Sequence, residues 1–120
     1  MSIIDKVVAA VTPLESEEER RSARSRARQA ANEAPWFGRV LDHHQQIEAA
    51  FAAVKDAGDA NGRRRAQKWL GTFLTGHSLA EEAVLYPAMA LGDQKGHATA
   101  AYSEQSGAKI NLAALETLDP

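Results

Sequence analysis

The sequence predicts an all-α fold, an up-down helix bundle of three long helices behind a helical extension. Alanine recurs along the whole chain, while aromatic residues make up only 6% of it. Valine, isoleucine and threonine never alternate with polar residues over a strand-length window, and the apolar residues repeat instead at three and four.

The elements follow in order. Ile3, Ile4, Val7, Val8 and Val11 form one stripe on a short amphipathic helix that Pro13 stops. Ser16, with Glu19 three residues on, is a capping box opening a charged helix to about Ala31, in which Glu17 is spaced to pair with Arg21. These pieces form an extension over residues 1–34, and the bundle occupies 35–120. Pro35 opens the first long helix, which carries Phe37, Val40, Leu41, Ile47, Phe51 and Val54 on one stripe and runs to about Ala57, before Gly58. Asp59 or Asn61 caps the second, whose inward face is Ala66, Trp69, Leu70, Phe73, Leu74, Val84, Leu85, Ala88 and Met89. Gly71 and Gly76 weaken that helix without stopping it. Pro87 lacks an amide proton and clashes with the Ala83 carbonyl, so a kink or an end is expected between Leu85 and Ala90. After a turn from Gly92 to Gly96, the third long helix extends to about Thr117, with Ala101, Ala108, Leu112, Leu115 and Leu118 inward. Each long helix spans about 30 Å, which suits antiparallel neighbours joined by short loops.

Composition narrows the function. A formal charge of −2 gives no global basic field for nucleic acid, and no apolar run approaches the length of a membrane span. Arg20, Arg21, Arg24, Arg26 and Arg28 lie among glutamates with no aromatic residue to stack on bases, so they read as a solvated face. Neither a nucleic-acid nor a membrane partner is expected. The absence of cysteine excludes disulfides, iron–sulfur clusters, thiolate zinc and a thiol nucleophile. The first residues show no secretory pattern, and the expected location is cytoplasmic.

All four histidines, His43, His44, His77 and His97, fall in the bundle segment. His44 lies in the apolar stripe of the first long helix with Glu48 one turn on. His77 and Glu81 repeat that arrangement on the second. On the third, His97 and Glu104 share the inward face, flanked by Tyr102 and Gln105. One His-x-x-x-Glu pair arises by chance, and a histidine on an apolar face is usually a satisfied core residue. Two pairs in register on consecutive stripes, plus a third inward histidine, are a different matter. His43 lies about 100° around from His44, to the flank of the stripe.

Buried carboxylates facing one another cost several kcal/mol each unless something compensates them, and a cation that also accepts imidazole nitrogen does so directly. Nitrogen and oxygen donors without sulfur favour iron, manganese or zinc. So many candidates on three helices exceed the four of a closed zinc site and suit octahedral iron, as two ions bridged by carboxylates. Nucleophilic hydrolysis has no support: phosphate loops and a His-Glu-x-x-His motif are absent, and no serine has a positioned histidine and acid.

Three segments carry a resemblance to a known family. They are Leu41-Asp42-His43-His44-Gln45-Gln46-Ile47-Glu48; Gly76-His77-Ser78-Leu79-Ala80-Glu81-Glu82-Ala83-Val84-Leu85-Tyr86-Pro87; and Ala101-Tyr102-Ser103-Glu104-Gln105 with Lys109 beyond. Together they resemble the hemerythrin-like (HHE cation-binding) domains of bacterial type, from about Pro35 onward. The resemblance implies a four-helix bundle around a non-haem, oxo- or hydroxo-bridged diiron centre that binds or senses O2, NO or peroxide, with His44, His77, Glu81 and also Glu48 as ligands. It also shows two departures. Gln105 stands where the family carries a histidine before the lysine, so His97, Tyr102 or Glu104 would have to substitute as ligands. The sequence also stops at Asp119-Pro120, where a fourth helix would open. The expectation is a truncated bundle with an open groove and, through it, a homodimer. The competing reading is a metal-depleted helical interaction or regulatory module that self-associates through the same groove.

Overall fold

The computed structural model describes residues 16–118 and is an all-α helical bundle, with no strand among the described residues. Its helices are α1 (Glu17–Ala31), α2 (Pro35–Asp56), α3 (Ala60–Ala80), a single π-helical turn (Glu81–Leu85), α4 (Tyr86–Leu91) and α5 (Lys95–Glu116). The stripe at residues 3–11, Pro13 and the terminal Asp119-Pro120 lie outside the described residues. The chain divides into two compact units, Met1–Asp42 and His43–Pro120, with the boundary inside α2.

In the first unit the capping box forms as expected. The Ser16 hydroxyl accepts from the Glu19 amide at 3.2 Å, and the Ser16 amide donates to the Glu19 carboxylate at 2.7 Å. The Ser16 backbone bond, then the Ser16 hydroxyl, hold the Glu19 carboxyl below its usual range. Glu17 pairs with Arg20 at 3.2 Å, one position short of the predicted Arg21, because three and four residues along a helix are both neighbours. Arg28 closes the unit, donating to the Gly38 carbonyl at 3.3 Å and pairing with Asp42 at 2.7 Å.

The second unit holds the rest of α2, then α3, the π-turn, α4 and α5. Asp59 caps α3, its carboxylate accepting from the Gly62 amide at 2.7 Å. The cross-links between α3 and α5 show their direction. Gln67 donates to the Leu115 carbonyl at 2.8 Å, whereas Glu82, further along, meets Lys109 and Tyr102, so the numbers rise on one side as they fall on the other. The two elements are therefore antiparallel. Gly71 is buried, and a side-chain carbon there would stand 3.8 Å from a Leu112 methyl and 3.4 Å from a Glu116 carboxylate oxygen. Both are ordinary contact distances, so an alanine would fit there and the packing of α5 on α3 does not itself require the mid-helix glycine.

Pro87 acts earlier than expected. The helix changes to a wide turn at Glu81, resumes as α4 and ends at Leu91, where Asp93 takes a left-handed φ of 68°. In the wide turn the Tyr86 amide donates back five residues to the Glu81 carbonyl. The same register would pair residue 87 with the Glu82 carbonyl, but proline has no proton to give. The Tyr102 hydroxyl donates there instead, at 2.9 Å.

The wide turn also corrects the inward face predicted for the second long helix. One extra residue in the turn rotates everything beyond it by about 100°. Val84 is consequently 70% exposed and Ala88 exposed, while Leu85 and Met89 are half-buried and Tyr86 is buried. Trp69 and Phe51, predicted inward, are about half exposed, and Trp69 stacks on Phe73 with ring centroids 5.2 Å apart. Leu118 is 63% exposed, because α5 has ended at Glu116 and no longer directs it inward. Among the described residues the buried positions are few: Ala50, Leu70, Gly71, Ser78 and Ala98, together with His77, Glu81 and Tyr86.

Candidate metal centre

Polar groups occupy an unusual share of that small core, and they are bonded to one another. Glu81 lies at the first position of the π-turn, one helical turn beyond His77 on α3. Its Oε1 atom is 3.0 Å from His77 Nε2 and 3.4 Å from His44 Nε2, the latter carried by α2. Its other oxygen, Oε2, accepts from the Tyr86 hydroxyl at 3.0 Å and from the Gln105 amide at 2.6 Å. The second amide proton of Gln105 reaches the Tyr86 oxygen at 2.8 Å. No buried side-chain nitrogen or oxygen among the described residues lacks a hydrogen-bond partner.

The π-turn is what brings Tyr86 to Glu81. Five residues apart in an ordinary α-helix, two side chains point about 140° away from each other; in a turn closed from i to i+5 they stack. The turn is pinned from α5 at two points, by Tyr102 on the Glu82 carbonyl and by Lys109, which contacts both Glu82 carboxylate oxygens at 2.5 and 2.7 Å. Tyr86 and Tyr102 meet edge to face at 5.0 Å.

The protonation states suit a cation. Burial is the largest influence on Glu81 and pushes its pKa up. The His44 hydrogen bond, the His77 charge and the Tyr86 hydroxyl together outweigh burial, and the carboxyl stays below its usual range. Burial, with His44 and His43 alongside, outweighs the pull of Glu81 on His77 and lowers that imidazole's pKa. At neutral pH the pair is therefore a carboxylate beside a neutral imidazole, both in the form that ligates metals. The Tyr86 hydroxyl, buried and facing carboxylates, is pushed up to about 12 and keeps its proton.

The donor spacing fits an ion. Two donors at right angles, each about 2.1 Å from a metal, stand about 3.0 Å apart, and at a tetrahedral angle about 3.4 Å apart. The nitrogen-to-oxygen separations are 3.0 and 3.4 Å. The ligand atoms of His44, His77 and Glu81 all lie within 4.8 Å of one another, and these three are the only such group of histidine and acidic residues among those described. A cavity of about 280 Å³ beside His77 is bounded by His43, Thr72, Phe73 and Gly76. Another, of about 300 Å³, opens on His44 and Glu81 and is bounded by Glu104, Gln105 and Ala108.

Of the seven residues predicted as ligands, the structure thus gathers His44, His77 and Glu81 and leaves four apart. Glu104 borders the second cavity without joining the group. Glu48 is exposed on α2. Tyr102 spends its hydroxyl on the Glu82 carbonyl. His97 is exposed near the start of α5, eight residues before Gln105 and so about 12 Å from it along the helix axis. His43 flanks the site as expected, its ring edge-on to Phe73 at 5.4 Å and to His77 at 5.7 Å. Sequence reasoning missed the support from Tyr86. Its signals were the Pro87 that follows it and disturbs the helix, and its place at the close of the second segment that carries the resemblance.

A helical bundle that aims two imidazoles at a buried carboxylate has the makings of a non-haem cation site. The family model of the hemerythrin HHE cation binding domain matches residues 38–119, and the chain belongs to that family of cation-binding domains. No curated protein and no solved structure matches the chain. No helix among the described residues is long and apolar enough to cross a membrane.

Proposed function

We propose that the chain is a non-haem iron protein that binds or senses O2, NO or peroxide at an iron site formed by His44, His77 and Glu81. The observation that carries this is the convergence of both imidazole Nε2 atoms on one oxygen of a buried, ionised carboxylate. Two imidazoles and one carboxylate with open positions are the donor set of non-haem iron(II) sites. Iron held there would supply redox and Lewis-acid chemistry toward small oxidants and NO. The protein's own part is to position and to shield. Tyr86 and Gln105 fix the carboxylate through Oε2, leaving Oε1 for the ion. The half-exposed His44 and the cavity beside it give a diatomic ligand or peroxide a way in. Tyr86 retains its proton at neutral pH, so it serves as a hydrogen-bond donor to the carboxylate.

Elemental analysis after aerobic purification, read with the visible and near-ultraviolet spectrum before and after addition of NO, tests this reading. The expected result is bound iron and a new absorption band with NO. Protein that takes up no iron, with a spectrum indifferent to NO, would count against it.

A specific observation supports self-association in addition. Trp69, Leu79, Val84 and Ile110 in the second unit are all about half exposed or more. Covering them in a homodimer would remove apolar surface from water. Light scattering on the purified chain is expected to give twice the monomer mass. If dimers persist while metal is wholly absent, the reading as a metal-depleted interaction module gains.

A further inference from the structure

We propose that this chain holds a single ion where its family resemblance implies two, and that Gln105 sets the count. The inference rests on the iron-site reading above and goes beyond it in nuclearity. A carboxylate that bridges two metals through both of its oxygens needs one free oxygen for each. In Glu81 both imidazoles address Oε1, while Oε2 already accepts two hydrogen bonds, from the Tyr86 hydroxyl at 3.0 Å and from Gln105 Nε2 at 2.6 Å. A cation at Oε2 would meet donor protons, which carry partial positive charge, where it needs lone pairs.

Gln105 closes this side twice over. Both of its amide protons are committed, one to Oε2 and one to the Tyr86 oxygen, so the amide nitrogen faces the site as a donor and has no lone pair to offer. Among the described residues no further histidine or acid joins the group, although Glu104 lines the cavity that opens on His44 and Glu81. His97 is about 12 Å away along α5, Tyr102 is bound to a backbone carbonyl, and Glu104 and Glu48 stand outside the group. What remains at Oε1 is one two-histidine, one-carboxylate donor set beside the cavity, which would hold one ion.

Replacing Gln105 with histidine would put an imidazole lone pair where the amide proton now lies. Replacing it with glutamate would put a carboxylate there. Either change frees Oε2 from one donor and supplies a ligand for an ion on that side.

The test is iron stoichiometry on the full chain, loaded anaerobically with ferrous iron, desalted, analysed for metal and then oxidised for electron paramagnetic resonance. The wild type is expected to bind about one iron per chain and to show the resonance of an isolated high-spin ferric ion. Gln105→His or Gln105→Glu is expected to roughly double the iron and to lose resonance per iron as the two ions couple. Circular dichroism selects whichever variant retains wild-type helicity. About two irons per wild-type chain, with a resonance-silent coupled pair, would overturn the inference and leave the site reading standing. Folded variants that both stay at one would remove Gln105 from its role. Negligible iron in the wild type, unchanged by His77→Ala, would overturn the site reading and this inference with it.

Discussion

Replacing Tyr86 with phenylalanine keeps the ring and removes one oxygen, which in this structure serves two partners. The hydroxyl donates to the Glu81 carboxylate at 3.0 Å and accepts from Gln105 at 2.8 Å, and the residue is buried. A hydrogen bond to a charged group contributes about 1.5–3 kcal/mol, and the Gln105 proton, half-buried, recovers only part of its loss from water. The expected cost is about 2–3 kcal/mol, or a melting point lower by about 8–12 °C for a chain of this size. The pH dependence supplies an independent check. The folded-state pKa of Tyr86 is raised from 10 to about 12, so its stabilising contribution is whole below pH 10 and is lost as pH rises through 12. The full shift is worth about 2.7 kcal/mol, and about half of that should be gone by pH 11. Urea unfolding of wild type and Tyr86→Phe at pH 7 and pH 11, followed by circular dichroism, measures both figures. The gap between the two proteins is expected to shrink by about half between the two pH values. A variant that melts within a degree of wild type, or a gap indifferent to pH, would refute the reasoning.

Acid should act through the other two core groups. His77 and Glu81 both have folded-state pKa values below their ordinary 6.5 and 4.5, so each stabilises above its unfolded value and stops doing so as pH falls. The urea midpoint of the metal-free protein is expected to decline first below pH 6.5 and again below 4.5, and His77→Ala should lack the first decline. Lys109→Met removes the cross-link from α5 to Glu82, in which the lysine side chain is 41% exposed. The expected loss is about 1 kcal/mol or less, smaller again in 1 M salt, and a salt-independent loss would mean that packing and not charge holds the turn.

Much of this was legible in the chain because it depends on neighbours in sequence. The capping box at Ser16 and Glu19, the Asp59 cap and the one-turn spacing of His77 and Glu81 are local patterns whose geometry a helix enforces. His44 could be paired with them because it sits within an apolar stripe. The π-turn was not legible, since nothing in Glu81 to Leu85 demands five residues per hydrogen-bonded turn; only its downstream cause, Pro87, is visible. Every consequence of that turn was hidden with it: the exposure of Val84, the meeting of Tyr86 with Glu81, and the unpaired Glu82 carbonyl that claims Tyr102. Gln105 stood out in the sequence as a departure from the family pattern. Its role emerged only with the antiparallel pairing of α5, which brings its amide onto Oε2. Glu48, His97 and Glu104 share inward-looking spacing with true neighbours of the site, but spacing records the angle around a helix and says nothing of the height along its partner.

The most direct test is a crystal of the iron-loaded full chain, measured at the iron absorption edge. The account predicts one anomalous peak per chain, about 2.0–2.2 Å from His44 Nε2, His77 Nε2 and Glu81 Oε1, with Tyr86 and Gln105 still bonded to Oε2. A peak at other residues, or iron-loaded crystals with none at these three, would contradict it.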